Sequence, residues 1–160
     1  MIKLYHGSNV KVLIPDLTHS KPFKDFGQGF YLSADEQQAW NLARQKVVQM
    51  QRGAAQVSAF LFDESLMTSN ELAVKCFDDY TEEWAQFVLD NRNSSNVLPR
   101  HHYDIVYGPI ANDGVAYQLR RYLGGVISLS RLVEELKYAK GITFQYFFGT
   151  QRALDKLKAL

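Results

Sequence analysis

The spacing of apolar and polar positions changes several times along the chain. Ile2-Lys3-Leu4-Tyr5-His6 is a brief apolar and aromatic run ended by Gly7, and it reads as a strand. Residues 8–28 carry Pro15, Pro22, Gly27 and scattered lysines without periodicity. A loop of that length inside a domain is uncommon unless it has a function. Residues 29–32 form a second short strand. Ser33-Ala34-Asp35-Glu36 reads as a capping box. Behind it Ala39, Trp40, Ala43, Val47 and Met50 recur at helical spacing up to Gly53.

Residues 55–62 alternate and then run apolar, as a strand does, and 71–77 is a weaker strand. Thr81 with Glu82 and Glu83 opens a helix whose apolar face is Trp84, Phe87 and Val88. Asn91 to Asn96 reads as polar loop. Tyr103 to Tyr107 is a buried-type strand closed by Gly108-Pro109. Asp113 to Leu123 is helical, with Asp113 as its N-cap, and Ser128 or Ser130 caps another helix that Gly141 stops. Residues 142–148 are a dense aromatic strand. Thr150 caps a last helix with Ala153, Leu154, Leu157 and Leu160 on one face. Strands and helices are mixed rather than strictly alternating, which predicts an α+β fold.

Composition narrows the picture. A chain of 160 residues suggests a single domain over 1–160 that needs neither metal nor disulfide to fold. Net charge is +1, so no field of one sign steers the whole surface toward nucleic acid or an anionic membrane. The single cysteine, Cys76, excludes an internal disulfide and a multi-cysteine zinc site. His101 and His102 are adjacent, so on a strand they point to opposite faces and cannot share a metal. No apolar run approaches the length of a membrane span and the N-terminus carries no signal-peptide core, which predicts a cytoplasmic protein with no membrane partner.

Two short segments carry the candidate chemistry. His6 sits beside Gly7, and a glycine there lets a ligand approach the backbone, with His6 donating to a sugar hydroxyl. Tyr31 offers a flat ring to a planar partner. Strand alternation puts Phe30 on the opposite face, so Phe30 should be buried while Tyr31 faces a cleft.

Tyr5-His6-Gly7-Ser8, followed by Gly29-Phe30-Tyr31-Leu32-Ser33 opening a helix, resembles the ADP-ribosyltransferase superfamily, in the His–Tyr–Glu branch of diphtheria toxin and the poly-ADP-ribose polymerases. In closer detail the chain resembles a bacterial domain-of-unknown-function family within it, through Asp25 to Leu32, Trp84 to Arg92, Tyr103 to Pro109 and Gln145. The resemblance implies a split pair of small antiparallel sheets with flanking helices and NAD, as co-substrate, in the cleft between them. It implies an NAD site drawn from His6, Gly7, Ser8, Lys24, Gly29 and Tyr31. His6 would bond the nicotinamide-side ribose, Gly7 would hold the carboxamide, and Tyr31 would stack on the nicotinamide ring. Lys21 and Lys24 would lie over the pyrophosphate and adenosine half. His6, Tyr31 and Gln145 occupy the catalytic positions.

Gln145 stands where the branch has glutamate. An amide keeps a hydrogen-bond acceptor but carries no charge and cannot act as a base. Losing a well-placed charge of that kind costs roughly 10²–10³ in rate. Asp104 and Asp113 are the candidate replacement acids. The resemblance implies transfer of ADP-ribose to a protein or nucleic-acid acceptor, as an effector or as the toxin of a pair with a small antitoxin protein. The alternative is an inactive member that binds NAD, another nucleotide or a protein partner.

Overall fold

A computed structural model describes residues 1–95, 97–138 and 141–160, so the end of the expected polar loop, at Asn96, lies outside the described residues. In chain order the elements are β1 (Ile2–Ser8), β2 (Phe30–Leu32), α1 (Glu36–Met50), β3 (Gln56–Phe62), β4 (Val74–Cys76) and α2 (Glu82–Arg92). There follow β5 (Ile105–Pro109), α3 (Asp113–Leu123), α4 (Leu129–Lys137), β6 (Phe144–Phe148), α5 (Gln151–Leu154) and β7 (Lys158–Ala159). A 3₁₀ turn at Glu64–Met67 links β3 to β4.

The strands form two small sheets, ordered β1-β3-β7 and β2-β6-β5-β4. This is the α+β architecture with a split pair of sheets that the sequence predicts. One detail differs: β4 pairs parallel to β5, while every other ladder is antiparallel.

Strand alternation decides how the layers stack. Leu4, Phe60 and Phe62 from the first sheet meet Phe30, Leu32, Ile105, Tyr146 and Phe148 from the second, all buried in one apolar cluster between them. The intervening positions Val106 and Phe147 face the other way, into a second cluster with Phe26, Trp84, Val88, Val115, Leu119, Leu132 and Leu136. So α2, α3 and α4 cover the outer face of the four-stranded sheet, and α1 lies against β1 and β3. Each large side chain in these clusters contributes about 1.5–3 kcal/mol by leaving water.

Several ends differ from the expectation, each for a local reason. Asp35, not Ser33, caps α1, accepting from the backbone N–H of Gln37 and Gln38. Ser33 is still strand-like, since its backbone exchanges two hydrogen bonds with Tyr5. Likewise Asn112 caps α3 in place of Asp113, which is the first helical residue. Helix α2 runs through Asn91 and Arg92, because the Asn91 amide donates back to the Phe87 carbonyl one turn earlier. Ser128 is the cap of α4. Thr150 caps α5 as expected, but that helix is a single turn. Lys158–Ala159 instead joins the outer edge of β3, where Leu160 N–H donates to Ala59. That edge would otherwise leave strand groups unpaired.

Candidate functional site

Among the described residues one backbone bridge, Tyr5 to Ser33, links β1 to the chain just after β2, and beside it β1 and β2 help enclose a cavity of about 220 Å³. Its walls are Tyr5, His6 and Gly7 of β1, Tyr31 and Leu32 of β2, and Lys24 of the long loop. Gln38, Leu42, Gln45, Lys46 and Gln49 project from α1, and Gln145 and Ile110 close the far side. Residues distant in sequence therefore converge: His6, Gly7, Lys24, Tyr31 and Gln145 all line one space. Ser8 is buried at the end of β1, and Gly29 packs beneath Phe147; neither lines the cavity.

Packing alone requires glycine at position 7. A Cβ there would lie 2.0 Å from the Ala39 carbonyl oxygen, so only glycine lets α1 sit this close to β1. Its backbone, however, is turned outward. Tyr5 directs its N–H and C=O to Ser33, and strand parity sends those of Gly7 the same way, off the β3 side. The partner strand agrees: Ala59 C=O opposite Tyr5 accepts from Leu160, and Val57 C=O opposite Gly7 accepts from Lys11 Nζ. One donor and one acceptor thus stand side by side on the edge of β1 at the cavity.

His6 is fixed by Tyr31 and Phe30. Its Nδ1–H donates to the Tyr31 carbonyl at 2.8 Å, and its ring stacks on Phe30 with centroids 4.3 Å apart. Burial pushes its pKa down to about 4; Lys46 and Lys24 push the same way, and the Tyr31 carbonyl opposes them. Near neutral pH the ring is therefore uncharged with its proton on Nδ1, and Nε2 carries a lone pair. In that tautomer Nε2 can accept a hydrogen bond but not donate one, the reverse of the direction expected from the sequence.

Phe30 is buried and Tyr31 half-buried at the cavity, as strand alternation requires. The Tyr31 hydroxyl donates to the Gly27 carbonyl at 2.6 Å and accepts from Phe26 N–H at 3.1 Å. Burial, and then the Asp25 charge, raise its pKa well above the ordinary tyrosine value. The hydroxyl thus pins the end of the loop while the ring, met edge-on by Phe147 at 5.2 Å, is held as a platform.

Gln145 belongs to a network that the sequence reading did not single out. Its Nε2 donates to Asp25 Oδ2 at 3.2 Å, and Ala111 N–H donates to the same oxygen. Asp25 Oδ1 accepts from Arg92 Nε at 2.8 Å and Nη2 at 2.6 Å. With its amide N–H₂ turned to Asp25, Gln145 keeps Oε1 as an acceptor free of described partners. The acid beside Gln145 is thus Asp25, already ion-paired.

Asp104 and Asp113, the acids expected there, lie elsewhere. Asp104 is buried and accepts from Arg152 Nε at 2.7 Å, Thr150 Oγ1 at 2.6 Å and Ala73 N–H at 2.7 Å. Burial works to raise its pKa, but these bonds outweigh it and hold the carboxyl below its usual value. It ties the start of β5 to α5. Asp113 is exposed in the first turn of α3.

A second cavity of about 220 Å³ lies at the opposite end of β6, among Phe26, Gly27, Asn91, His101, Tyr103 and Gly149. His101 has both ring nitrogens engaged there, Nε2–H donating to Phe26 O at 2.7 Å and Nδ1 accepting from Tyr103 N–H. It brings together none of the strand-edge groups of the first. No helix among the described residues is long and apolar enough to cross a membrane.

Asp25, Arg92 and Lys46 were the residues missed. The signal for Asp25 was its place in the segment before Tyr31. Arg92 likewise ends the Trp84 to Arg92 segment, and nothing local marks Lys46; both meet the site only through tertiary packing. The sequence profile of DUF3990, described as a protein of unknown function, matches residues 2–159 of the chain. A search of curated proteins finds no match.

Proposed function

The chain belongs to the DUF3990 family, whose description assigns no activity, and from the site itself we propose that it is an NAD-dependent ADP-ribosyltransferase acting on a macromolecular acceptor. One observation carries the reading: a single cavity gathers the outward N–H and C=O of Gly7, the lone pair of His6 Nε2, the Tyr31 ring and the free Oε1 of Gln145. These groups match the nicotinamide end of NAD. Gly7 pairs with the carboxamide, Tyr31 stacks on the ring, and His6 Nε2 and Gln145 Oε1 accept from the ribose hydroxyls. Lys24 and Lys46 supply positive charge for the pyrophosphate.

In the reaction the bond between ribose C1′ and the nicotinamide nitrogen breaks, and nicotinamide leaves with the bonding electrons as a neutral base. A nucleophile of the acceptor forms the new bond to C1′ and gives up its proton. Gln145 orients the ribose, and its carbonyl dipole, hydrogen-bonded through its amide to Asp25, faces the charge that develops there. The acceptor is a protein or a nucleic acid, and the setting of an effector or of a toxin paired with a small antitoxin rests on the sequence resemblance alone.

A second reading is favoured by Gln145 itself. It has no charge, and the charge of Asp25 is matched by Arg92, so the cavity also suits a protein that holds NAD without cleaving it. Titration calorimetry with NAD, followed by assay of nicotinamide release and of label transfer from NAD into a cell lysate, separates the two. Binding with release or transfer supports the transferase. Binding without either supports the holding protein, and no binding of NAD overturns both.

A further inference from the structure

Lys24 stands where two roles meet. Its Nζ is 5.0 Å from the centroid of the Tyr31 ring, and both residues line the cavity. The ammonium therefore stands over the ring at the cavity, held by the negative face of the aromatic system. No carboxylate among the described residues pairs with it. The neighbouring Asp25 is spent on Arg92, Ala111 and Gln145.

Lys46 lines the same cavity from α1, and Lys21 lies near enough to repel both. Burial, then Lys46 and Lys21, pull the Lys24 pKa below the usual lysine value, with the Asp25 charge opposing them; burial, then Lys21, do the same to Lys46. The cavity thus concentrates ammonium groups with which no carboxylate among the described residues makes an ion pair. The backbone around Lys24 is not free to swing. The Tyr31 hydroxyl holds Phe26 and Gly27, so movement falls to the flexible four-carbon lysine stem.

We infer that Lys24 is an exchange latch that sets specificity: its ammonium rests on Tyr31 until a ligand supplies phosphate, then moves to the phosphate and frees the ring. The inference rests on the nucleotide reading above. A planar ring arriving alone must displace a cation and offers it nothing in return. A dinucleotide displaces the same cation and supplies a diphosphate to receive it. Once ADP-ribose has been transferred and its diphosphate has left, Lys24 returns to Tyr31 and competes with free nicotinamide for the ring. The latch therefore favours the intact dinucleotide over free nicotinamide.

Lys24→Met keeps the length and apolar stem and removes the charge. Binding of nicotinamide, measured by ligand-observed NMR, and of ADP-ribose, measured by calorimetry, should move in opposite directions. Nicotinamide should bind about threefold more tightly, the worth of one modest cation–π contact. ADP-ribose should bind about tenfold more weakly for loss of a charged phosphate contact. Lys46→Met should weaken ADP-ribose and leave nicotinamide unchanged. If Lys24→Met fails to fold by circular dichroism, Lys24→Gln reads the same contrast. Wild-type protein that binds NAD while the Lys24 variants shift both ligands the same way, or neither, overturns the latch and leaves the nucleotide site standing. Wild-type protein that binds no NAD overturns the nucleotide reading, and the latch with it, before any variant is made.

Discussion

Replacing His6 by glutamine tests the protonation state on which the site depends. The folded protein holds His6 neutral down to about pH 4, against an ordinary value of 6.5. The folded pKa is depressed, so between those values the unfolded chain binds the extra proton and the folded one does not. The unfolded state is then favoured as pH falls, and stability rises with pH across the window. The gap of 2.5 units between the two values corresponds to about 3 kcal/mol, at roughly 1.4 kcal/mol per unit. At pH 5.5 linkage gives a loss of roughly 1 kcal/mol, and above pH 7 essentially none. Urea unfolding of wild type and His6→Gln at half-unit steps from pH 4 to 8 measures this directly. His101, whose pKa is also lowered, titrates in both proteins and cancels in the difference. Wild type should lose stability relative to the variant only below about pH 6.5, by about 3 kcal/mol near pH 4. A flat difference curve would show that burial does not hold the ring neutral. A curve of opposite slope, with wild type gaining as pH falls, would show a charged His6 and remove the acceptor role assigned to Nε2.

Gly7→Ala drives a methyl group into the Ala39 carbonyl and should cost about 3 kcal/mol or more, read as a lower urea midpoint; an unchanged midpoint would mean that α1 does not sit so close to β1. Tyr31→Phe leaves the ring but unpairs Phe26 N–H and Gly27 C=O. It should lose about 1–3 kcal/mol and expose the loop to protease while binding of a planar ring persists; joint loss of ring binding and loop protection without loss of stability would contradict the separation of hydroxyl and ring. Asp25→Ala strands Arg92 and frees the Gln145 amide. The expected cost is about 2–3 kcal/mol, below that of a fully buried pair because the Arg92 side chain is 33% exposed; a thermal midpoint equal to wild type would show that the network does not hold the loop to α2.

The sequence alone determined whatever depends on neighbours along the chain. Period-two runs and aromatic density marked the strands, and alternation put Phe30 inside and Tyr31 at the cleft. Thr81, Ser128 and Thr150 announced helix starts because a cap needs only its own side chain and the backbone two or three residues ahead. His6, Gly7, Lys24, Tyr31 and Gln145 were also legible as candidates, through motif order. What they do to one another was not. The pairing of Asp25 with Arg92 spans 67 residues, and that of Gln145 with Asp25 spans 120, so no local pattern records either. The same holds for Lys46, an ordinary polar helix position until α1 settles against Gly7, and for Leu157 and Leu160, whose apolar spacing suits a helix although Lys158–Ala159 between them pairs with β3. Burial set the tautomer and charge of His6 by removing water and leaving one carbonyl within reach. Tertiary structure decided these points because desolvation and long-range hydrogen bonds exist only once distant segments have been brought together.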